Sequence, residues 1–151
     1  MPEKKTIEKA REDEREGKSP STQAGEFVRE EMDHIREGKH GARSPEQAIA
    51  IGLSKARRAG VELPPPKKGK VSEATRKRAA RDEEKGAERA EHAPSRKRSR
   101  AVTGALKREG HSAASKASLS RHARASAKKR GPASRKQAAQ KAARTRARLG
   151  R

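Results

Sequence analysis

Residues 44–60 read SPEQAIAIGLSKARRAG, and this stretch decides the fold of the surrounding chain. Ser44, Pro45 and Gln47 occupy the N-cap, N1 and N3 positions of a capping box, where the proline loses no hydrogen bond. Gly60 predicts the end of the helix, with Val61 folding back as in a Schellman motif. Small and apolar residues share one face of this helix: Ala48, Ile49, Gly52, Leu53 and Ala56.

A second amphipathic helix precedes it, beginning near residue 21 or 22 and running to residue 37, with Gly38 as its stop. Its apolar residues recur at i, i+4, i+8 and i+11: Ala24, Val28, Met32 and Ile35. Residues 21–63 therefore predict a helical hairpin in which Gly52 permits close approach. We expect this hairpin to pack or to form a homodimer. A DNA-reading helix-turn-helix is less favoured, because the connection exceeds the usual 3–4 residues.

The segments that flank the hairpin are charged and poor in large apolar residues. Residues 1–18 predict a charged N-terminal helix or leader, in which only Ile7 and Ala10 offer an apolar face. Residues 64–92 predict a proline spacer followed by an exposed, charged connector helix that begins at Ser72 and is weakened by Gly86.

Positive charge is confined to one end of the chain, whose formal net charge is +21. Residues 1–66 contain 13 basic and 13 acidic residues, and residues 67–92 contain 9 and 6. Residues 93–151 contain 19 basic residues and a single acid, Glu109. This distribution predicts a tail that meets a dense polyanion and a head with another task.

The composition argues against one packed globule. Only 28% of the residues are hydrophobic and 40% are charged, so the chain buries too little apolar surface to offset its conformational entropy. Alanine favours helix in residues 93–151, whereas clustered positive charge opposes it. The expected fold is therefore mostly α, with a short helical hairpin and a largely disordered basic tail that becomes helical when phosphates neutralise it.

The sequence contains no recognisable arrangement of catalytic residues. The five histidines lack metal-ligand spacing and no cysteine accompanies them, so we expect them to be solvated. No glycine-rich phosphate loop is present, and a small core offers no dry pocket for carboxylates. We expect a non-enzymatic protein with no metal or cofactor. No apolar run approaches the roughly 18 residues of a membrane span, so we expect no membrane partner and a cytoplasmic location.

Nucleic-acid binding is the favoured function, because each phosphate that Lys or Arg neutralises releases condensed counterions. DNA is favoured over RNA and without sequence preference, since the tail contains no aromatic residue for base stacking. Two alternatives stay open: a basic protein associated with RNA or ribosomes, and an adaptor whose hairpin binds a protein. The candidate contacts are Arg96, Lys97, Arg98, Arg100, Lys107, Arg108, Arg121, Arg124, Lys128, Lys129, Arg130, Arg135, Lys136, Lys141, Arg144, Arg146 and Arg148.

Residues 25–61, and above all QAIAIGLSKARRAG at 47–60, resemble a family of small, uncharacterised bacterial proteins that share a QAIAI-L-S-A-R-AG helix. The resemblance implies a bacterial cytoplasm and transfers no activity. Residues 93–151 are similar in composition to the tails of linker-histone-like and bacterial nucleoid proteins, which implies a location at the nucleoid.

Overall fold

The computed structural model describes residues 2–88, 95–148 and 150 of the chain. These residues form six α-helices, one short 3-10 turn and no strand, so the prediction of a mostly helical protein is confirmed. The chain divides into two compact units, Met1–Ser115 and Lys116–Arg151. The helices are α1 (Lys4–Arg15), α2 (Pro20–Arg36), α3 (Pro45–Arg58), α4 (Glu73–Ala87), α5 (Arg96–Lys107) and α6 (Lys116–Arg148), with the 3-10 turn at Ser112–Ala114.

Helix α3 begins and ends as its sequence predicts. The Gln47 N–H donates to the Ser44 hydroxyl oxygen over 3.3 Å, which is the N-cap bond of the capping box. At the other end Gly60 has a φ of +94°, a backbone conformation that glycine adopts without strain. The Val61 N–H then donates to the Ala56 carbonyl over 3.1 Å. This reversal is the predicted Schellman motif, and it buries Val61 beside α3.

Helices α2 and α3 pack antiparallel, and α1 packs on α2. Gly52 makes the close approach possible, because a Cβ built there would stand 2.7 Å from the Val28 Cα. Helix α1 contributes Ala10 to the shared core, so the N-terminal segment is a packed element of the first unit. The buried cluster comprises Ala10, Ala24, Phe27, Ala56 and Val61, with Ile7 and Leu53 packed at its edge.

The predicted exposed connector helix is in fact packed against α3 along one face, as α4. The buried Asp82 carboxylate accepts hydrogen bonds from the Ser54 hydroxyl over 2.6 Å and from the Arg58 Nε over 2.7 Å. Gly86 lies so close to the Arg57 carbonyl that a Cβ would overlap it. The glycine that weakens this helix in isolation is therefore required by the contact with α3.

The first part of the basic tail, up to Ser115, belongs to the first unit and packs against its loop between α2 and α3. The Gly41 N–H donates to the Leu106 carbonyl over 2.9 Å, and the Arg36 Nε donates to the Ala114 carbonyl over 3.1 Å. Ala114 is fully buried. A Cβ at Gly41 would overlap the backbone of Glu109, so this contact also depends on a glycine. The loop between α2 and α3 thus holds the chain that follows α5.

The expectation of a largely disordered tail is wrong, because α5 and α6 are helical within the described residues. Of the 33 residues of α6, 22 are Ala, Lys or Arg, which all rank high in helix propensity. Only four pairs of its basic residues are spaced i,i+3 or i,i+4, and each costs about 0.2–0.5 kcal/mol. Propensity therefore outweighs repulsion. Gly131, with a φ of +75°, interrupts α6, and Pro132 opens its second segment.

Candidate nucleic-acid interface

All seventeen basic residues predicted to contact nucleic acid lie on α5, at its C-cap or on α6, and all are exposed. Within the described parts of the chain, no acidic side chain forms an ion pair with any of them. The charges of α5 and α6 are therefore open to an outside partner.

The helical backbone of α6 aligns six of its twelve basic residues in two rows. Residues at i, i+3 and i+7 fall within about 60° of one another around a helix and span about 10 Å along its axis. The segment before Gly131 has one such row, and the segment after it has another with the same spacing. We call these the basic rows: Arg121, Arg124 and Lys128 in the first segment, and Lys141, Arg144 and Arg148 in the second.

Clusters that stand out in the sequence are not brought together by the fold. Consecutive residues on a helix point about 100° apart, so Lys128, Lys129 and Arg130 face three directions. The run 96–98 on α5 is dispersed in the same way. Six basic residues of α6 lie outside the basic rows: Lys116, Lys129, Arg130, Arg135, Lys136 and Arg146.

Helix α5 has a shorter alignment of its own. Arg96, Arg100 and Lys107 are spaced i, i+4 and i+11 and share one face. Arg100 and Lys107 border a shallow open depression, together with Thr103 and Gly104. The absent side chain at Gly104 leaves room there for a group that approaches the two cations.

Electrostatic repulsion within α6 is concentrated in the basic rows. The four pairs of like charge at i,i+3 or i,i+4 are the neighbours within the two rows, and no acidic residue of α6 offsets them. An anion that bridges neighbouring members removes this repulsion as it binds. Phosphate groups on a nucleic-acid backbone are such anions, and charge-assisted hydrogen bonds to Lys and Arg are stronger than neutral ones.

A second cluster escaped the sequence analysis and lies where α2 meets the loop to α3. Glu31 is fully buried, and its carboxylate oxygens lie 3.2 Å from His40 Nε2 and 2.7 Å from Lys55 Nζ. His34 stands one turn beyond Glu31 on α2, and its Nε2 lies 2.9 Å from Glu3 Oε1. This hydrogen bond and those from Lys39 hold the pKa of Glu3 below its ordinary value. We call Glu31, His34 and His40 the Glu-His cluster.

The prediction that the histidines are solvated is wrong for two of the five. The His34 and His40 side chains keep only 13% and 14% of their exposure. His111 is exposed, as expected, whereas His122 is partly buried and His92 lies outside the described residues. The i,i+3 spacing of Glu31 and His34 indicates that the two side chains share a face of α2. The position of His40 beside Glu31 depends on the turn after α2, which this spacing does not predict.

Comparison with known proteins concerns the first unit only. A protein-family model matches residues 4–68, which is less than half of the chain. The model describes DUF6496, a family of unknown function. The predicted resemblance to an uncharacterised family is thereby confirmed, and the match ends before α4 and both basic helices. No curated protein and no solved structure matches the chain.

None of the helices in the described residues combines the length and the apolar character needed to cross a membrane.

Proposed function

We propose that this chain is a non-enzymatic protein that binds duplex DNA without sequence preference, in the manner of a nucleoid-associated protein. The observation that carries the proposal is the alignment of six cations of α6 in the two basic rows, with no acid on that helix. Helix α5 adds the aligned Arg96, Arg100 and Lys107. Each row is about 10 Å long, and duplex DNA carries one negative charge for about every 1.7 Å of its axis, so several phosphates lie within reach of a row.

The absence of sequence preference follows from the side chains available. Residues 95–148 contain no Phe, Tyr or Trp, so the usual stacking platforms for bases are missing from α5 and α6. Alanine and serine separate many of the cations. Phosphate contacts therefore supply the affinity, and they carry no sequence information by themselves. The lack of stacking residues also favours a duplex over single-stranded RNA.

The first four helices have a different role in this proposal. Within the described residues, six of the fifteen basic residues of α1–α4 form ion pairs with acids, as Arg58 does with Asp82 and Lys55 with Glu31. Residues 1–66 contain 13 basic and 13 acidic residues, so α1, α2 and α3 add little net attraction for phosphates. The predicted homodimer would place two basic tails on one particle and allow duplexes to be bridged. It has the least support, since within the described residues Val71 and Val102 are the exposed large apolar side chains.

A salt titration of the full chain tests the proposal. Affinity for a short random-sequence duplex is measured between about 50 and 200 mM salt. Six row contacts predict a slope of log K against log salt of about −5 or steeper, at −0.9 for each phosphate neutralised. Affinity should be equal for unrelated duplex sequences.

Three results would overturn the proposal as stated. A slope near zero would show that phosphates are not the ligand. A strong preference for one duplex sequence would indicate base readout. Displacement of the duplex by structured RNA at far lower concentration than by competitor DNA would assign the basic helices to RNA instead.

A further inference from the structure

The Glu-His cluster has the donor atoms and spacing of a metal site. One ligand atom from each of Glu31, His34 and His40 lies within 4.8 Å of the other two. The His40 Nε2 and the Glu31 Oε1 are already 3.2 Å apart. Ligands that bind zinc tetrahedrally at 2.0–2.1 Å stand about 3.3 Å from each other. The atoms that are farthest apart therefore have to approach by at most about 1.5 Å to hold one ion.

Each histidine has one ring nitrogen within hydrogen-bond distance of a protein oxygen, which leaves its other ring nitrogen for a metal. The His40 Nδ1 lies 3.1 Å from the Gly41 carbonyl oxygen, and when Nδ1–H donates to it, the Nε2 lone pair faces Glu31. The His34 Nε2 lies 2.9 Å from the Glu3 carboxylate, which leaves Nδ1 of that ring with its lone pair. A carbonyl or carboxylate behind each imidazole is the usual support of metal-binding histidines.

The Glu31 carboxylate is incompletely satisfied by the protein. It is fully buried, and neither of its oxygens has a hydrogen-bond partner of good geometry in the described residues. Lys55 Nζ compensates the charge from the Oε2 side at 2.7 Å. Oε1 is left facing His40. A buried carboxylate oxygen with no hydrogen bond is costly, and a cation at this position removes the cost.

We propose that Glu31, His34 and His40 bind one divalent transition metal ion of the Zn²⁺ type, with solvent as the further ligand. Two imidazoles and one carboxylate suit zinc and its neighbours rather than calcium or magnesium. The ion joins the end of α2 to the loop that leads into α3, and through Glu3 it fixes the start of α1. This proposal departs from the sequence-based expectation of no metal, and it does not depend on DNA binding by α6.

The test uses the full chain, stripped of metal by a chelator and titrated with ZnCl₂ in a calorimeter. One equivalent should bind, and the unfolding temperature of the first unit should rise with zinc concentration, because the ion binds the folded state. Co²⁺ gives a second readout, since tetrahedral coordination produces intense visible absorption that octahedral coordination does not. His34→Gln and His40→Gln should each weaken zinc binding by about 100-fold or more, at least as much as loss of a supporting residue.

His122→Gln is the matched control, because it removes a histidine of α6 and leaves the Glu-His cluster intact. It should bind zinc as the natural chain does. Circular dichroism of every variant confirms that the helices are retained, and the use of two separate ligand variants protects the test against misfolding of one. Absence of stoichiometric zinc binding to the natural chain would overturn the proposal. An equal loss in the His122 variant would overturn it as well.

Discussion

Helices α3 and α6 are made by different physical means. Helix α3 has a side-chain N-cap, a Schellman C-terminus and a buried face centred on Ala48, Gly52 and Ala56. Helix α6 buries none of its described residues and consists largely of strong helix formers. Packing specifies α3, whereas intrinsic propensity specifies α6. The comparison teaches that a helix without a core face keeps its whole surface available for a ligand.

The two regions also use charge differently. Lys18 lies 2.7 Å from the buried Asp13 carboxylate, and this bond, with that to Glu16, raises the pKa of Lys18. Arg58 on α3 meets Asp82 in the same way. Ion pairs of this kind stabilise the first unit, and the pair of Arg58 with Asp82 joins α3 to α4. The basic residues of α6 have no acid on their own helix.

The core offers the largest expected effect. Phe27 is the single aromatic residue of the chain and is fully buried between α1, α2 and α3. Phe27→Ala should lower the free energy of unfolding of the first unit by about 3–5 kcal/mol. Urea denaturation followed by circular dichroism measures the change. A loss under about 1 kcal/mol would show that the buried cluster does not hold this unit together.

The next largest effect on stability is expected for a basic residue that is ion-paired, compared with one that is not. Lys55→Ala leaves the buried carboxylates of Glu30 and Glu31 without their ammonium partner and should cost about 3 kcal/mol. Lys141→Ala, on the exposed surface of α6, should change stability by less than about 0.5 kcal/mol. Chemical denaturation of both variants, side by side, checks the contrast. Equal effects would remove the distinction between structural and available charges.

Two helical glycines sharpen the comparison of packing with propensity. Gly86→Ala forces a Cβ into the Arg57 carbonyl and should destabilise the α3–α4 contact by about 1–3 kcal/mol. Gly104→Ala on α5 meets only ordinary van der Waals contact and should stabilise that helix by about 0.5–1 kcal/mol. Thermal unfolding monitored at 222 nm, the helical signal, distinguishes the two signs. Destabilisation by both substitutions would contradict the account.

The smallest expected effect concerns the helix caps. Ser44→Ala removes the hydroxyl that accepts the Gln47 N–H and should cost about 1 kcal/mol. Ser95 stands at the same position of α5 but makes no side-chain cap bond, so Ser95→Ala should cost clearly less. Denaturation midpoints of the two variants provide the measurement. A larger loss at Ser95 would show that α5 depends on its cap after all.

Local signals in the sequence predicted local structure well. The capping box at Ser44 and the stop at Gly60 depend on residues near one another in the chain. The close approach at Gly52 was predicted from the apolar faces of two consecutive helices. The packing of α4 and the docking of the chain after α5 depend on Gly86 and Gly41, whose role appears only once distant segments meet. The spacing of residues along the sequence does not predict such long-range contacts.

The candidate sites follow the same division. The candidate cations of the tail can be listed from the sequence, and all of them are exposed. The two basic rows emerge only when residues 116–148 form a helix with a break at Gly131. Repulsion within α6 is weaker than its number of cations indicates, because only four pairs of its basic residues are i,i+3 or i,i+4 neighbours. The Glu-His cluster was not predicted from the sequence. The turn at Gly38 brings His40 beside Glu31, and the spacing of the histidines does not indicate that turn.

The most direct test of the central claim compares two variants of equal charge. One replaces the six basic-row residues of α6 with glutamine, and the other replaces the six remaining basic residues of α6 listed above with glutamine, which keeps helix propensity nearly unchanged. Duplex DNA affinity is then measured against salt for both full-length variants. The account predicts that the row variant loses most of the salt slope, about 5 at 0.9 per contact, while the other variant loses about 1–2. Equal losses would show that net charge, and not its alignment on α6, carries the binding.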